Sequence, residues 1–86
     1  MSEYDRIPSL EGLKLGPMIK RARCLRVGLS QLELAERVGC SKSTISNWET
    51  GRVQPPLRSL KRLFEELGFC GDERRWAFAS IGTKND

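Results

Sequence analysis

Apolar residues recur every three or four positions through most of this chain, and glycines stand where the pattern breaks. Leu15, Met18, Ile19, Ala22, Leu25 and Leu29 follow helical spacing, and Pro17 suits a first turn, where its missing N–H has no partner to lose. The spacing predicts a first helix over 17–26, closed by Gly28, which can take the left-handed conformation without a Cβ clash. Ser30 followed by Glu33 is a capping-box pattern and starts a second helix, whose Leu32, Leu34, Ala35 and Val38 turn inward before Gly39 ends it. Ala35 is small enough to let another helix approach closely. Ser41 caps a third helix over 42–50 that stops at Gly51. Ile45 and Trp48, three apart, are its only strongly apolar pair and must face the core, so Lys42, Ser43, Ser46, Asn47 and Thr50 point away from it.

Pro55 and Pro56 exclude a helix interior, which makes 52–56 a loop. Leu57, Leu60, Leu63, Phe64 and Leu67 then give a fourth amphipathic helix ended by Gly68. Beyond Phe69 two patterns compete: Asp72 can cap a helix through Ala79, while 75–81 can alternate as a strand, and the helix is preferred. The fold class read from these elements is an all-α bundle. Residues 1–12 contain Pro8 and Gly12 and little periodicity, and are expected to form a flexible arm touching the core only through Ile7 and Leu10, with Leu13 just after it. Residues 13–69 form the domain and 70–86 a tail.

With 86 residues and 38% hydrophobic content, the chain has length for one small core and little to spare for a second domain. No apolar run approaches the roughly 20 residues that cross a bilayer, and the first ten carry two acids and no signal-peptide stretch. A soluble protein of the cytosol or nucleoid is expected. Cys24, Cys40 and Cys70 are odd in number and widely spaced, with no histidine beside them, so they read as free thiols, small core or half-buried residues rather than disulfide or zinc partners. The net charge of +4 is concentrated: Lys14, Lys20, Arg21, Arg23 and Arg26 lie within 13–28 with no acid among them, whereas the first twelve residues are net acidic. Such a run is either a solvated helix face or a phosphate-binding one. An enzyme is not expected, since no histidine is present and no cysteine or carboxylate is paired with a base; neither a cofactor nor a metal is implied.

The stretch Gly28 to Pro56, and more loosely Leu15 to Gly68, resembles the helix-turn-helix domain of the lambda-type phage repressor and Cro family. The residues that carry the likeness are Leu29-Ser30-Gln31 before Glu33-Leu34-Ala35, Gly39 in the turn, Ser43-Thr44-Ile45-Ser46, Trp48-Glu49, Gly51-Arg52 and the following proline. The resemblance implies a compact bundle of four to five helices that binds double-stranded DNA, with the third helix in the major groove. It places Gln31 on a phosphate, makes Lys42, Ser43 and Asn47 base readers with Thr44 and Ser46 beside them, and puts Arg52 on phosphate after the helix. Ser41 belongs at the same edge, mainly as a cap, and Lys20, Arg21 and Arg58 are lesser phosphate candidates. The chemistry suits the roles: Asn can pair bidentately with adenine and Lys can donate to guanine O6 and N7. The family also ties the acid at Glu49 to an arginine of the first helix. Here that points to Arg23, but one residue more than the commoner spacing separates Arg23 from Gly28, which leaves Arg26 as an alternative.

The expected function is a repressor or autoregulator of transcription of the phage or mobile-element kind, binding a palindromic operator as a homodimer. Phe69, Trp76, Phe78 and Ile81 are the candidate dimer surface, with packing at the base of the core as the alternative use for two of them. An antitoxin with a toxin partner, a restriction-modification controller touching polymerase through Glu65 and Glu66, and a protein-interaction module without DNA binding are the alternatives. No membrane and no small-molecule ligand is expected.

Overall fold

The computed structural model describes Leu10 and residues 12–82, the last two by backbone alone. Five helices follow in chain order: α1, Leu15–Arg21, which runs on into a π-helical turn over Ala22–Arg26; α2, Gln31–Val38; α3, Lys42–Thr50; α4, Leu57–Leu67; and α5, Gly71–Gly82. No strand occurs among the described residues, and none of their helices is long and apolar enough to cross a membrane. The tail is helical. Its Glu73 carboxylate accepts the Cys70 N–H at 3.0 Å, which anchors the first turn of α5.

The caps of α2 and α3 are those the sequence predicts. Ser30 Oγ accepts the Glu33 N–H while Glu33 returns its carboxylate to the Ser30 N–H, at 3.0 and 2.8 Å. Ser41 Oγ accepts the Thr44 N–H at 3.1 Å. Between the two helices Gly39 adopts φ 89°, and the N–H groups of Gly39 and Cys40 both reach the Ala35 carbonyl, at 2.8 and 2.9 Å. A side chain with a Cβ would strain this turn, which sets the angle between α2 and α3.

Helix α1 begins two residues earlier than its proline suggests. Lys14 offers no side-chain cap; instead Ser80 of α5 accepts the Leu15 N–H at 3.1 Å, a contact made across 65 positions of sequence. α1 packs on α3 and on α5, α2 on α3 and α4, and α4 on the π-turn. The core comprises Leu10, Leu15, Met18, Ile19, Ala22, Leu34, Ala35, Ile45, Trp48, Leu60, Leu63, Phe64, Leu67, Phe69 and Ala77. Leu10 is fully buried, so the packed body extends into the segment expected to be an arm; residues 1–9 and 11, with Ile7 among them, lie outside the described residues.

Gly16 was not singled out by pattern, yet it fixes how closely α1 and α3 approach. A Cβ built there would stand 2.5 Å from the Glu49 carbonyl oxygen and 2.8 Å from that of Trp48.

The placements of three leucines and two cysteines need correcting. Leu25 is 58% exposed, because the π-turn adds a residue and carries it off the stripe that Ala22 continues. Leu32 is exposed because it stands two positions before the buried Leu34, which turns it to the other side of α2. Leu57 shares a face with Phe64 but projects from the first turn of α4, beyond the core, and is also exposed. Among the thiols only Cys40 is half-buried, where burial pushes its pKa up; Cys24 and Cys70 are exposed rather than packed in the core.

The π-turn also places a second arginine. The Val27 N–H bonds the Ala22 carbonyl five residues back, at 3.2 Å, and this wider turn swings Arg26 towards α5. There both of its terminal nitrogens donate to the Glu73 carboxylate, Nη1 at 2.7 Å to Oε1 and Nη2 to Oε2. The Arg26 guanidinium holds the Glu73 carboxyl below its ordinary value of 4.5, with the Cys70 N–H helping. A depressed carboxylate pKa adds stability that is complete above the unfolded value and is lost as pH falls through the folded one. The melting temperature is therefore expected to drop as pH falls below 4.5, and Glu73→Gln to start lower at pH 7 but to lose less on acidification. Melting curves between pH 7 and pH 3 would show this; equal acid slopes in the two proteins would dissociate Glu73 from the effect.

Candidate nucleic-acid interface

Helix α3 is held from beneath and bare on top. Ile45 is fully buried and Trp48 4% exposed, so the helix is fastened to the core by the two residues its pattern singled out. Lys42 and Ser43 are exposed on the outer side, and Ser46 and Asn47 are half-exposed beside them. These four line one shallow polar depression together with Gln31 from the start of α2. Thr44 is different: its hydroxyl lies 2.9 Å from Ser41 Oγ and completes the cap, so Ser41 and Thr44 are spent largely on each other. Thr50 donates to the Ser46 carbonyl at 3.0 Å and closes the last turn. The outer surface of α3 is thus formed by Lys42, Ser43, Ser46 and Asn47, opposite the side that Ile45 and Trp48 bury.

A buried ion pair braces that helix. Glu49, also on α3, accepts Arg23 Nε at 2.6 Å through Oε2 and Arg23 Nη2 at 3.1 Å through Oε1. The Arg23 and Glu49 side chains are only 10% and 3% exposed, and Arg23 Nη1 additionally donates to the Leu29 carbonyl at 2.9 Å. The bonded Glu49 carboxylate holds the Arg23 guanidinium above its already high pKa. Of the two arginines weighed for this role, Arg23 makes the pair and Arg26 goes to Glu73. The additional residue before Gly28 is absorbed by the π-turn, which lets Arg23 keep its inward position.

Gln31, expected at a phosphate, donates from Nε2 to Glu49 Oε1 at 2.9 Å. One carboxylate therefore gathers the π-turn, α2 and α3. Nothing in the local pattern around Gln31 signals this bond, because its partner is 18 residues away.

The cationic candidates are all solvent-facing. Lys20 and Arg21 are exposed on α1, Arg52 just past α3 and Arg58 in the first turn of α4. Glu66, half of the acidic pair expected as a polymerase contact, lies 3.5 Å from Arg37 and 3.6 Å from Arg62.

The aromatic tail divides. Phe69 belongs to the core, 4% exposed and stacked on Phe64 with ring centroids 5.4 Å apart, so it does not offer a surface. Trp76 is partly buried against the same cluster. Phe78 meets Phe64 edge-on and stays 44% exposed. The Ile81 side chain lies outside the described residues.

A helix-turn-helix family profile matches residues 19–71, more than half of the chain and all of α2, α3 and α4. The chain belongs to the Cro/C1-type helix-turn-helix family. Over 54 residues, 63% of its length, this Cro/C1-type chain is 39% identical to the "ImmF control region 10 kDa protein" of Bacillus phage phi105, covering 59% of that protein. Over 42 residues, 49% of its length, it is 48% identical to an uncharacterized HTH-type transcriptional regulator of Methanothermobacter thermautotrophicus, covering 61% of it. The Cro/C1-type chain thus spans about three fifths of each of these relatives. No solved structure gives a significant match.

Proposed function

We propose that this protein is a sequence-specific reader of double-stranded DNA that regulates transcription, as a repressor or autoregulator. One observation carries the reading: the outer side of α3 presents Lys42, Ser43, Ser46 and Asn47 in one depression, while Trp48, Ile45 and Glu49 are buried on the other side. Short polar side chains on a fixed helix suit the major groove, where donors and acceptors differ for each base pair. Arg52, Lys20, Arg21 and Arg58, all exposed, supply phosphate contacts that fix register without reading sequence. The names of the two relatives, a phage control-region protein and a transcriptional regulator, support regulation as the role. A homodimer on a palindromic operator, with half-sites about one helical turn apart, is the arrangement that gives a module of this size useful affinity. Phe78, the exposed aromatic of α5, is the leading candidate for its contact surface.

The test uses a duplex recovered from a random pool. Asn47→Ala is expected to reduce discrimination at one base-pair position of the half-site, about tenfold, while the other positions keep theirs. Arg52→Ala is expected to weaken binding evenly across sequences and to make the log–log salt slope shallower by about one, from about −4 to −5 if roughly five cations touch phosphate. Fluorescence anisotropy over a salt series reads both. If Asn47→Ala left discrimination intact at every position, α3 would not be the reading helix.

A further inference from the structure

The exposed aromatic of α5 does not stand alone. Phe78, 44% exposed, meets the buried Phe64 ring edge-on with centroids 5.4 Å apart, and the two line a shallow depression with Lys61, Glu65 and Arg74. Leu57, 59% exposed, stands one turn before Lys61 on the same side of α4 and extends the apolar surface along that helix. The other large apolar residues exposed among the described residues are aliphatic and lie elsewhere: Leu25 and Val27 at the π-turn, Leu32 on α2 and Val53 after α3. The depression on α4 and α5 shares no residue with the one on α3. Its charges are unevenly used. Arg74 lies over the Phe64 ring, 5.5 Å from the centroid, and donates from Nε to the Phe69 carbonyl at 3.3 Å. One row over on α4, Arg62 and Glu66 pair with each other, and Glu66 also with Arg37. Lys61 and Glu65 have the same spacing, yet neither has an ion-pair partner among the described residues.

We propose that this face joins two copies of the chain, with Lys61 of each copy set against Glu65 of the other and the two Phe78 rings packed beside them. The proposal rests on the homodimer reading given above and deepens it, naming the surface and the charge pair that selects the partner. A rim of one sign would suit an acidic or a basic partner. This rim carries one uncommitted charge of each sign, a single helical turn apart on exposed positions of α4. A two-fold axis passing between them turns α4 end for end, so each lysine comes to face a glutamate and every contact is made twice. The apolar centre supplies affinity, while the charge pair fixes register and rejects other partners. Glu65 then serves recognition of a second copy rather than of polymerase.

Sedimentation equilibrium of the full chain without DNA compares wild type, Lys61→Glu, Glu65→Lys, the double reversal and Phe78→Ala, with melting curves to show that each variant is folded. Wild type is expected to dimerise, and each single reversal to raise the dimer dissociation constant about tenfold or more, because like charges then meet twice. The double reversal is expected to return it to within about threefold of wild type, and Phe78→Ala to weaken the dimer about tenfold. The proposal is overturned if wild type is monomeric at every concentration, if a single reversal or Phe78→Ala dimerises like wild type, or if the double reversal is as weak as the singles. Failure of the DNA reading is a separate result, since a wild-type pool with no enriched motif leaves the sedimentation outcomes as they stand.

Discussion

Arg23→Ala is expected to remove about 3–5 kcal/mol of folding stability, a large share of the roughly 5–15 kcal/mol that a domain holds. The loss is not the energy of the ion pair. It comes from what is left behind: Glu49, with a side chain 3% exposed on α3, would keep the Gln31 amide but lose the cation that balances it. Replacing both groups by apolar residues of similar size, Arg23→Met with Glu49→Leu, is expected to recover much of the loss, because no unpaired charge then remains. Urea unfolding of Arg23→Ala and of the double variant measures the loss and its recovery. A loss below about 1 kcal/mol for Arg23→Ala would mean that the pair is solvated like a surface bridge.

The second large effect has the opposite sign from helix propensity. Alanine is favoured over glycine inside a helix by about 1 kcal/mol, so Gly16→Ala in α1 would ordinarily stabilise. Here the added methyl would stand 2.5 Å from the Glu49 carbonyl oxygen and 2.8 Å from that of Trp48. Both are backbone atoms of α3, which cannot turn aside as a side chain could. The two helices must part, disturbing the packing of Trp48 and the seat of the Arg23–Glu49 pair together. A net loss of about 3 kcal/mol or more follows, or a fall in melting temperature on the order of 15 °C for a domain of this size. Gly71, at the start of α5, has nothing within 4 Å of a built Cβ and provides the control, with Gly71→Ala expected to be near neutral. Equal melting temperatures for the Gly16 and Gly71 variants would show that α1 and α3 are free to separate.

These two sites mark how far local sequence reaches. Helices α2 and α3 were legible because their signals are adjacent in the chain: Ser30 with Glu33, Ser41 before the third helix, and glycines at both ends. The outer side of α3 followed, since Ile45 and Trp48 leave only one orientation. The features that escaped depend on partners far along the chain. α1 starts at Leu15 because Ser80 caps it, the α1–α3 spacing is set by Gly16 against distant carbonyls, and Arg26 finds Glu73 only because α5 lies where it does. The additional residue before Gly28 was visible as a departure in spacing. Its resolution as a π-turn was not, because a widened turn and a shifted loop look alike until the inward direction of Arg23 is known. In the tail, Trp76, Ala77 and Phe78 in succession blur any period, and the capping of α5 by Glu73 decides for helix. The candidate site shows the same division. Its exposed residues were countable from the pattern, whereas the bond between Gln31 and Glu49 joins positions 18 apart.

The central claim is that the outer side of α3 reads base sequence, and recovery of bound duplexes from a random pool tests it most directly. At low salt, the protein is expected to enrich one motif with two-fold symmetry and half-sites about one helical turn apart, and Lys42→Ala, Ser43→Ala and Asn47→Ala combined should abolish that enrichment while weaker binding to all duplexes persists. Recovery of no motif by wild type, or of the same motif by the triple variant, would contradict it.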